Sequence, residues 1–89
     1  MFVQRRLMKI AEERIALILA VHDLARASRS PDLGVLAGRL GWGVGRVARV
    51  LGALEDKALV DRTRCRLTLA GLAVAAALDH HRTQAVRAA

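Results

Sequence analysis

The chain has 89 residues and a formal charge of +7, fifteen Lys and Arg against eight Asp and Glu, a balance that draws a small domain toward polyanions. Its hydrophobic fraction is 54%, yet Phe2 and Trp42 are the only aromatics, so any core must be aliphatic, and residues 1–89 suffice for one small domain. The longest apolar run, Ile15 to Val21, is too short to cross a bilayer, no signal peptide is evident, and the single Cys65 excludes an internal disulfide and fits a cytoplasmic protein.

From Arg5 to about Ala27 neither Gly nor Pro interrupts the chain, and one long helix is expected. Its first half is charged, with Leu7, Ile10 and Ala11 as a narrow apolar stripe and Lys9 and Glu13 spaced to pair at i,i+4. The stretch Ile15 to Val21 is apolar all round and so needs burial on more than one side, which a second copy of the chain would provide. Ser30-Pro31-Asp32 reads as a helix start, with Ser30 as N-cap, Pro31 in the first turn and an acid at the positive end. Leu33, Leu36, Ala37 and Leu40 form its apolar face, and Gly41 ends it by a left-handed cap. Beyond Trp42-Gly43, the stripe Val47, Val50, Leu51, Leu54 and Ala58 predicts a helix from about Val44 to Lys57. Leu59 to Leu67 reads as a tight hairpin, although no Asn-Gly or Gly-X pair marks its turn. Thr68 is the candidate N-cap of a last helix, Leu69 to His81, carrying Leu72, Val74, Ala75 and Leu78, and Arg82 to Ala89 is expected to fray.

Two helices joined by so short a turn cross steeply, which is a helix-turn-helix arrangement. The segments Leu36-Ala-Gly-Arg-Leu-Gly41, Val47-Ala-Arg-Val-Leu51, Leu54-Glu-Asp-Lys-Ala-Leu-Val60 and Leu67-Thr-Leu-Ala-Gly71 carry a family pattern. The chain resembles the winged helix-turn-helix superfamily of regulators, in particular the small relatives of the multiple-antibiotic-resistance regulator type, over roughly residues 30 to 72. Two positions depart from that pattern. Gly43 stands where a Ser or Thr cap is usual, and Ala58 replaces the usual glycine, where a left-handed residue would cost about 1 kcal/mol. The resemblance implies a mostly α fold with a small β-hairpin wing and long N-terminal and C-terminal helices. Its parts would be an N-terminal helix (1–29), the helix-turn-helix plus wing (30–69) and a C-terminal helix and tail (70–89).

With the apolar stripe of the second motif helix facing inward, Gly45, Arg46, Ala48, Arg49, Gly52 and Ala53 face outward, behind Val44 at the entering end. Arg46 and Arg49 would project together from the N-terminal half, where cations oppose the helix dipole, and interior glycines cost about 1 kcal/mol each against alanine. In a DNA major groove these features make sense: small residues permit close approach, and arginines reach guanine edges or phosphates. The competing view is a solvated arginine face. Arg62, Arg64 and Arg66 alternate, so on a strand they would share one face and clamp phosphates, or simply keep a sheet edge from pairing. Thr63, Cys65 and Leu67 would then point toward the body. Arg29 and Arg39 flank the first motif helix, where they would either touch a DNA backbone or stand in solvent; Trp42 reads as a cap on the core rather than a stacking platform, and Arg5, Arg6 and Lys9 as a solvated helix face rather than a second basic patch.

Catalysis finds no support: His22, His80 and His81 are the only histidines, the acids have no paired spacing, and no metal or cofactor set is evident. Cys65 between Arg64 and Arg66 would be a redox-sensitive thiol if those cations lowered its pKa. The expected function is a homodimeric, sequence-specific regulator that binds double-stranded DNA, its seam built from the N-terminal and C-terminal helices. The DNA contacts would be Val44, Gly45, Arg46, Ala48, Arg49, Arg39, Arg62, Arg64 and Arg66. A winged-helix module for an acidic protein partner, or a non-specific architectural DNA-binding protein, are the alternatives.

Overall fold

A computed structural model describes the backbone of residues 2–88 and the side chains of residues 9–84. Four helices, α1 (Phe2–Arg26), α2 (Leu33–Leu40), α3 (Val44–Asp56) and α4 (Leu69–Ala88), enclose a two-stranded antiparallel hairpin, β1 (Val60–Asp61) and β2 (Arg66–Leu67). The fold is therefore mostly helical with one small hairpin, and no described helix is long and apolar enough to cross a membrane. The expectations placed on the side chains of Arg5, Arg6 and Leu7 lie outside the described residues.

The centre of α1 packs against α2, α3, α4 and β2. Leu17, Ile18, Val21 and Leu24 are buried there against Leu36 of α2, Val47, Leu51 and Leu54 of α3, Val60 and Ala75. The all-round apolar stretch is thus covered mainly by the chain itself, and its burial does not require a second copy. Ile10 and Ala11, expected on an inner stripe, are exposed, because the buried face of α1 runs instead through Glu13, Leu17, Val21 and Leu24.

Three helix ends close on a left-handed residue: α1 on Ser28 (φ 57°), α2 on Gly41 (φ 69°) and α3 on Ala58 (φ 59°). Each makes the long return bond of a Schellman turn, Arg29 N–H to Leu24 O, Trp42 N–H to Ala37 O and Leu59 N–H to Leu54 O. Ala58 therefore leaves the helical stripe it was assigned to and stands exposed in the turn. The start of α2 also differs. Asp32, not Ser30, is the N-cap, its Oδ1 accepting the Val35 N–H at 2.8 Å, because a carboxylate caps as well as a hydroxyl and Pro31 holds the preceding residues out of helical geometry. Gly43 caps α3 without any side-chain bond, as its composition requires.

The strands are shorter than the Leu59–Leu67 run suggests, pairing only Val60 with Leu67 and Asp61 with Arg66. Residues 62–65 form a turn tied by Arg64 N–H to Asp61 Oδ1 (3.3 Å) and by Cys65 N–H to Arg62 O (3.4 Å), with Cys65 left-handed at φ 49°. The strand alternation expected for Arg62, Arg64 and Arg66 is therefore absent; only Arg66 lies on a strand. Thr68 fulfils its expected role. Its Oγ1 accepts the Gly71 N–H at 3.1 Å and donates to Ala58 O at 2.7 Å, so one side chain caps α4 and holds the end of α3.

Helix α4 continues past His81 to Ala88, where fraying was expected. The cause is Arg82, which donates to Asp23 of α1 through both terminal nitrogens (3.1 and 3.0 Å) and to Asp79 one turn back. Arg26 completes the network on Asp79, and the Arg82 guanidinium pKa is raised above its usual value, chiefly by its bond to Asp23.

Gly71 and Ala58 make opposite stability tests. A Cβ at Gly71 would lie 1.9 Å from the Leu59 carbonyl oxygen, so Gly71→Ala must push the α4 start off the hairpin and is expected to lose about 1–3 kcal/mol. Ala58→Gly relieves a left-handed Cβ and is expected to gain about 1 kcal/mol. Urea unfolding of both variants, with unchanged m values, checks the two signs.

Candidate nucleic-acid interface

The expected outward arginines of α3 do not project freely. Arg46 Nε donates to Glu13 Oε2 at 2.8 Å, and Arg49 Nη2 donates to the same oxygen at 3.1 Å. Glu13 is only 8% exposed, the one buried charged side chain among the described residues, so it must be paired to remain ionised. The Arg46 hydrogen bond, ahead of the charges of both arginines, holds its carboxyl below the ordinary value of 4.5 despite a burial effect that raises it. Glu13 thus takes arginines from α3 rather than the Lys9 partner expected on its own helix, and Lys9 forms no ion pair among the described residues. Trp42 packs against the core from the turn before α3, and the Arg46 guanidinium stacks 4.3 Å from its ring centre.

Sequence reasoning missed Glu13, although its signal was present. Glu13, Leu17, Val21 and Leu24 repeat at helical spacing, so the carboxylate occupies a core stripe and needs cationic partners. Two arginines written against the dipole of α3 were those partners.

Between the arginines and the hairpin, α3 presents an almost bare strip. Val44 and Gly45 are exposed at its start, Ala48 and Gly52 are half-buried, and the exposed Arg49 edges it. A Cβ at Gly45 would meet nothing within 4 Å, and one at Gly52 only the Arg62 guanidinium at 3.9 Å. The chain's own packing therefore demands neither glycine. Arg62, on the turn, reaches the strip at Gly52, its guanidinium 3.9 Å from where a Cβ would stand there; its backbone N–H is held by Glu55 Oε2 at 3.1 Å. A second feature adjoins the arginines on the α1 side, a hollow of about 530 Å³ lined by Lys9, Ile10, Glu13, Arg46 and Arg49.

The remaining expected contacts lie elsewhere. Arg39 donates to Asp23 at 3.3 Å and so belongs to the α1–α2–α4 network. Arg64, 3.8 Å from Asp61, and Arg66 line a groove of about 570 Å³ with Arg29, Ser28, Ser30 and the apolar Val21 and Leu72, a groove to which α3 contributes nothing. Cys65 in that groove is not an activated thiol: burial, then the carboxylates of Asp32 and Asp61, push its pKa up. Among the described residues no cluster of three His, Cys, Asp or Glu is placed to hold a metal.

No protein-family model, no curated protein and no solved structure matches this chain.

The ion pairs set an acid limit. Glu13 sits below its ordinary 4.5 through Arg46, and Asp23 below its ordinary 3.8, chiefly through its bond from Arg82. Groups with depressed folded values stabilise the fold above their ordinary values, and that contribution is lost as pH falls through the folded ones. The thermal midpoint should therefore hold down to about pH 5 and fall below that. Glu13→Gln should start lower at neutral pH and decline less steeply in acid, as followed by circular dichroism; parallel curves would contradict the assignment.

Proposed function

We propose that this chain is a winged helix-turn-helix protein that binds duplex DNA sequence-specifically as a homodimer and regulates transcription. In this reading α2 and α3 are the helix-turn-helix, α3 enters the major groove, and the β1–β2 hairpin is the wing. The observation that carries it is the bare strip of α3, edged by Arg46 and Arg49 and met at Gly52 by the Arg62 guanidinium. Interior glycines cost about 1 kcal/mol against alanine, so Gly52 and, less strongly, Gly45 in the first turn are expensive, and nothing inside the molecule needs them. Close approach by an outside surface does need them, and flanking guanidinium groups select a polyanionic surface. Arg49 and Arg46 supply the base-reading or backbone donors, and Arg62 the phosphate contact. The charge of +7 adds a salt-dependent attraction.

The dimer seam falls on α4. Leu69 is 87% exposed, and Ala70, Leu72, Ala73, Val74, Ala76 and Ala77 are exposed around it, an apolar surface that the chain leaves uncovered. Ala73→Glu touches no core residue and is expected to turn the dimer into a folded monomer in sedimentation-velocity runs; an unchanged sedimentation coefficient would remove this seam.

The decisive experiment is selection from a random duplex pool, sequenced after several rounds. The intact protein should enrich a palindrome with half-sites about one helical turn apart. The Cβ of Gly45→Leu meets nothing within 4 Å and leucine has the better helix propensity, so the variant should be at least as stable yet lose the enriched sequence. Enrichment that survives Gly45→Leu would show that α3 is not the reader. Retention of DNA without any enriched sequence would favour the architectural alternative.

A further inference from the structure

We propose that the hollow between α1 and α3 is a phosphate site, in which Lys9, Arg46 and Arg49 hold one phosphate group while Glu13 positions the two guanidinium groups from the buried side. The source of the phosphate as DNA backbone rests on the function proposed above; the chemistry of the site does not.

Lys9, Ile10, Glu13, Arg46 and Arg49 line about 530 Å³ of open hollow. Three cations face one carboxylate, leaving the hollow with an excess of two positive charges to meet an anion. Glu13 accepts one N–H from each guanidinium, and each guanidinium carries five, so most of the donors remain available. The Trp42 ring fixes the Arg46 plane as well. Two forks held this way lose little rotamer freedom when they close on tetrahedral oxygens, and charge-assisted bonds to phosphate are the strong kind. Lys9 adds a cation with no ion pair among the described residues, and Ile10 (39% exposed) an apolar wall beside it. Arg46 and Arg49 belong both to this hollow and to the edge of the bare strip. A phosphate held here would therefore be one bordering the groove that α3 enters, and α1 becomes part of the interface.

The test compares Lys9→Gln with Arg14→Gln, which removes a cation further along α1 and outside the hollow. Duplex binding over a salt series should weaken about five-fold in Lys9→Gln, with the slope of log K against log salt smaller by about 0.9, and stay unchanged in Arg14→Gln. Inorganic phosphate, followed by the Nε–H signals of Arg46 and Arg49, should shift both in the intact protein and much less in Lys9→Gln. In Glu13→Gln, checked for folding by circular dichroism, the phosphate response should shrink although the site gains positive charge. A larger response there would mean that Glu13 competes with the anion and would overturn its positioning role. If duplex binds and the two variants of α1 behave alike, the site is wrong and the DNA reading stands. If duplex is not retained at low salt while phosphate still shifts the arginines through Lys9, the site stands for a free anion and the DNA reading falls. No response to either probe overturns both.

Discussion

One carboxylate inside an aliphatic core governs how this molecule is assembled. Glu13 continues the buried stripe of α1, and an ionised group there is intolerable without partners. Arg46 and Arg49 answer it, and in doing so fix the rotation of α3 against α1. The rotation decides which residues of α3 reach solvent. Those are Val44, Gly45, Arg49, Glu55 and Asp56, with Arg46, Ala48, Gly52 and Ala53 half-covered, while Val47, Val50, Leu51 and Leu54 turn inward. Only the carboxylate of this set is buried, and replacing ion pairs of this kind by well-packed apolar residues is often neutral or favourable. Stability alone therefore does not explain why this seam is built from charge.

A second polar anchor sits at the other end of the same helix. Asp23 lies ten residues after Glu13, about 15 Å along the axis, and gathers Arg39 of α2 and Arg82 of α4. Between the two anchors run Leu17, Ile18 and Val21, the apolar length on which the other elements pack. These outer ion pairs are half-exposed, and each is worth little alone. Their effect is collective, since Arg82 joins Asp23 and Asp79, and Arg26 joins Asp79 in turn. On α4 that chain of charges runs through Asp79 and Arg82, past the last buried core residue of the helix, Ala75.

The order of elements, the Gly41 closure, the Thr68 cap and the inner face of α3 were all legible, because each depends on local chemistry or on a short hydrophobic period. What was not legible depended on pairings across the chain. Lys9 and Glu13 satisfy the i,i+4 rule, and the rule fails because a buried acid gains more from two arginines of another helix than from an exposed neighbour. The alternation of Arg62, Arg64 and Arg66 assumed strands that a four-residue turn cuts short. Arg82 looked like tail because its acceptor, Asp23, is 59 positions away. Gly71 matched a family pattern without a reason; the reason is the Leu59 carbonyl, which occupies the space of a side chain.

The arginines divide by whether their side chains are held, and that division bears on the proposed DNA contacts. Arg46 and Arg49 are oriented by a shared acceptor, and Arg46 is stacked as well. Arg62 sits on a short turn and has no ion pair among the described residues. Ordering a long, free side chain on binding costs about 0.5–1.5 kcal/mol, and a side chain already held forgoes most of that. Direction also matters more for a base edge than for a phosphate, since a misplaced fork loses both bonds of a bidentate pair. A free arginine can follow the backbone wherever it runs. In the proposed complex, the held donors at the start of α3 would thus suit one fixed position, a phosphate or a base edge, and the unpaired Arg62 would suit contacts that follow the strand.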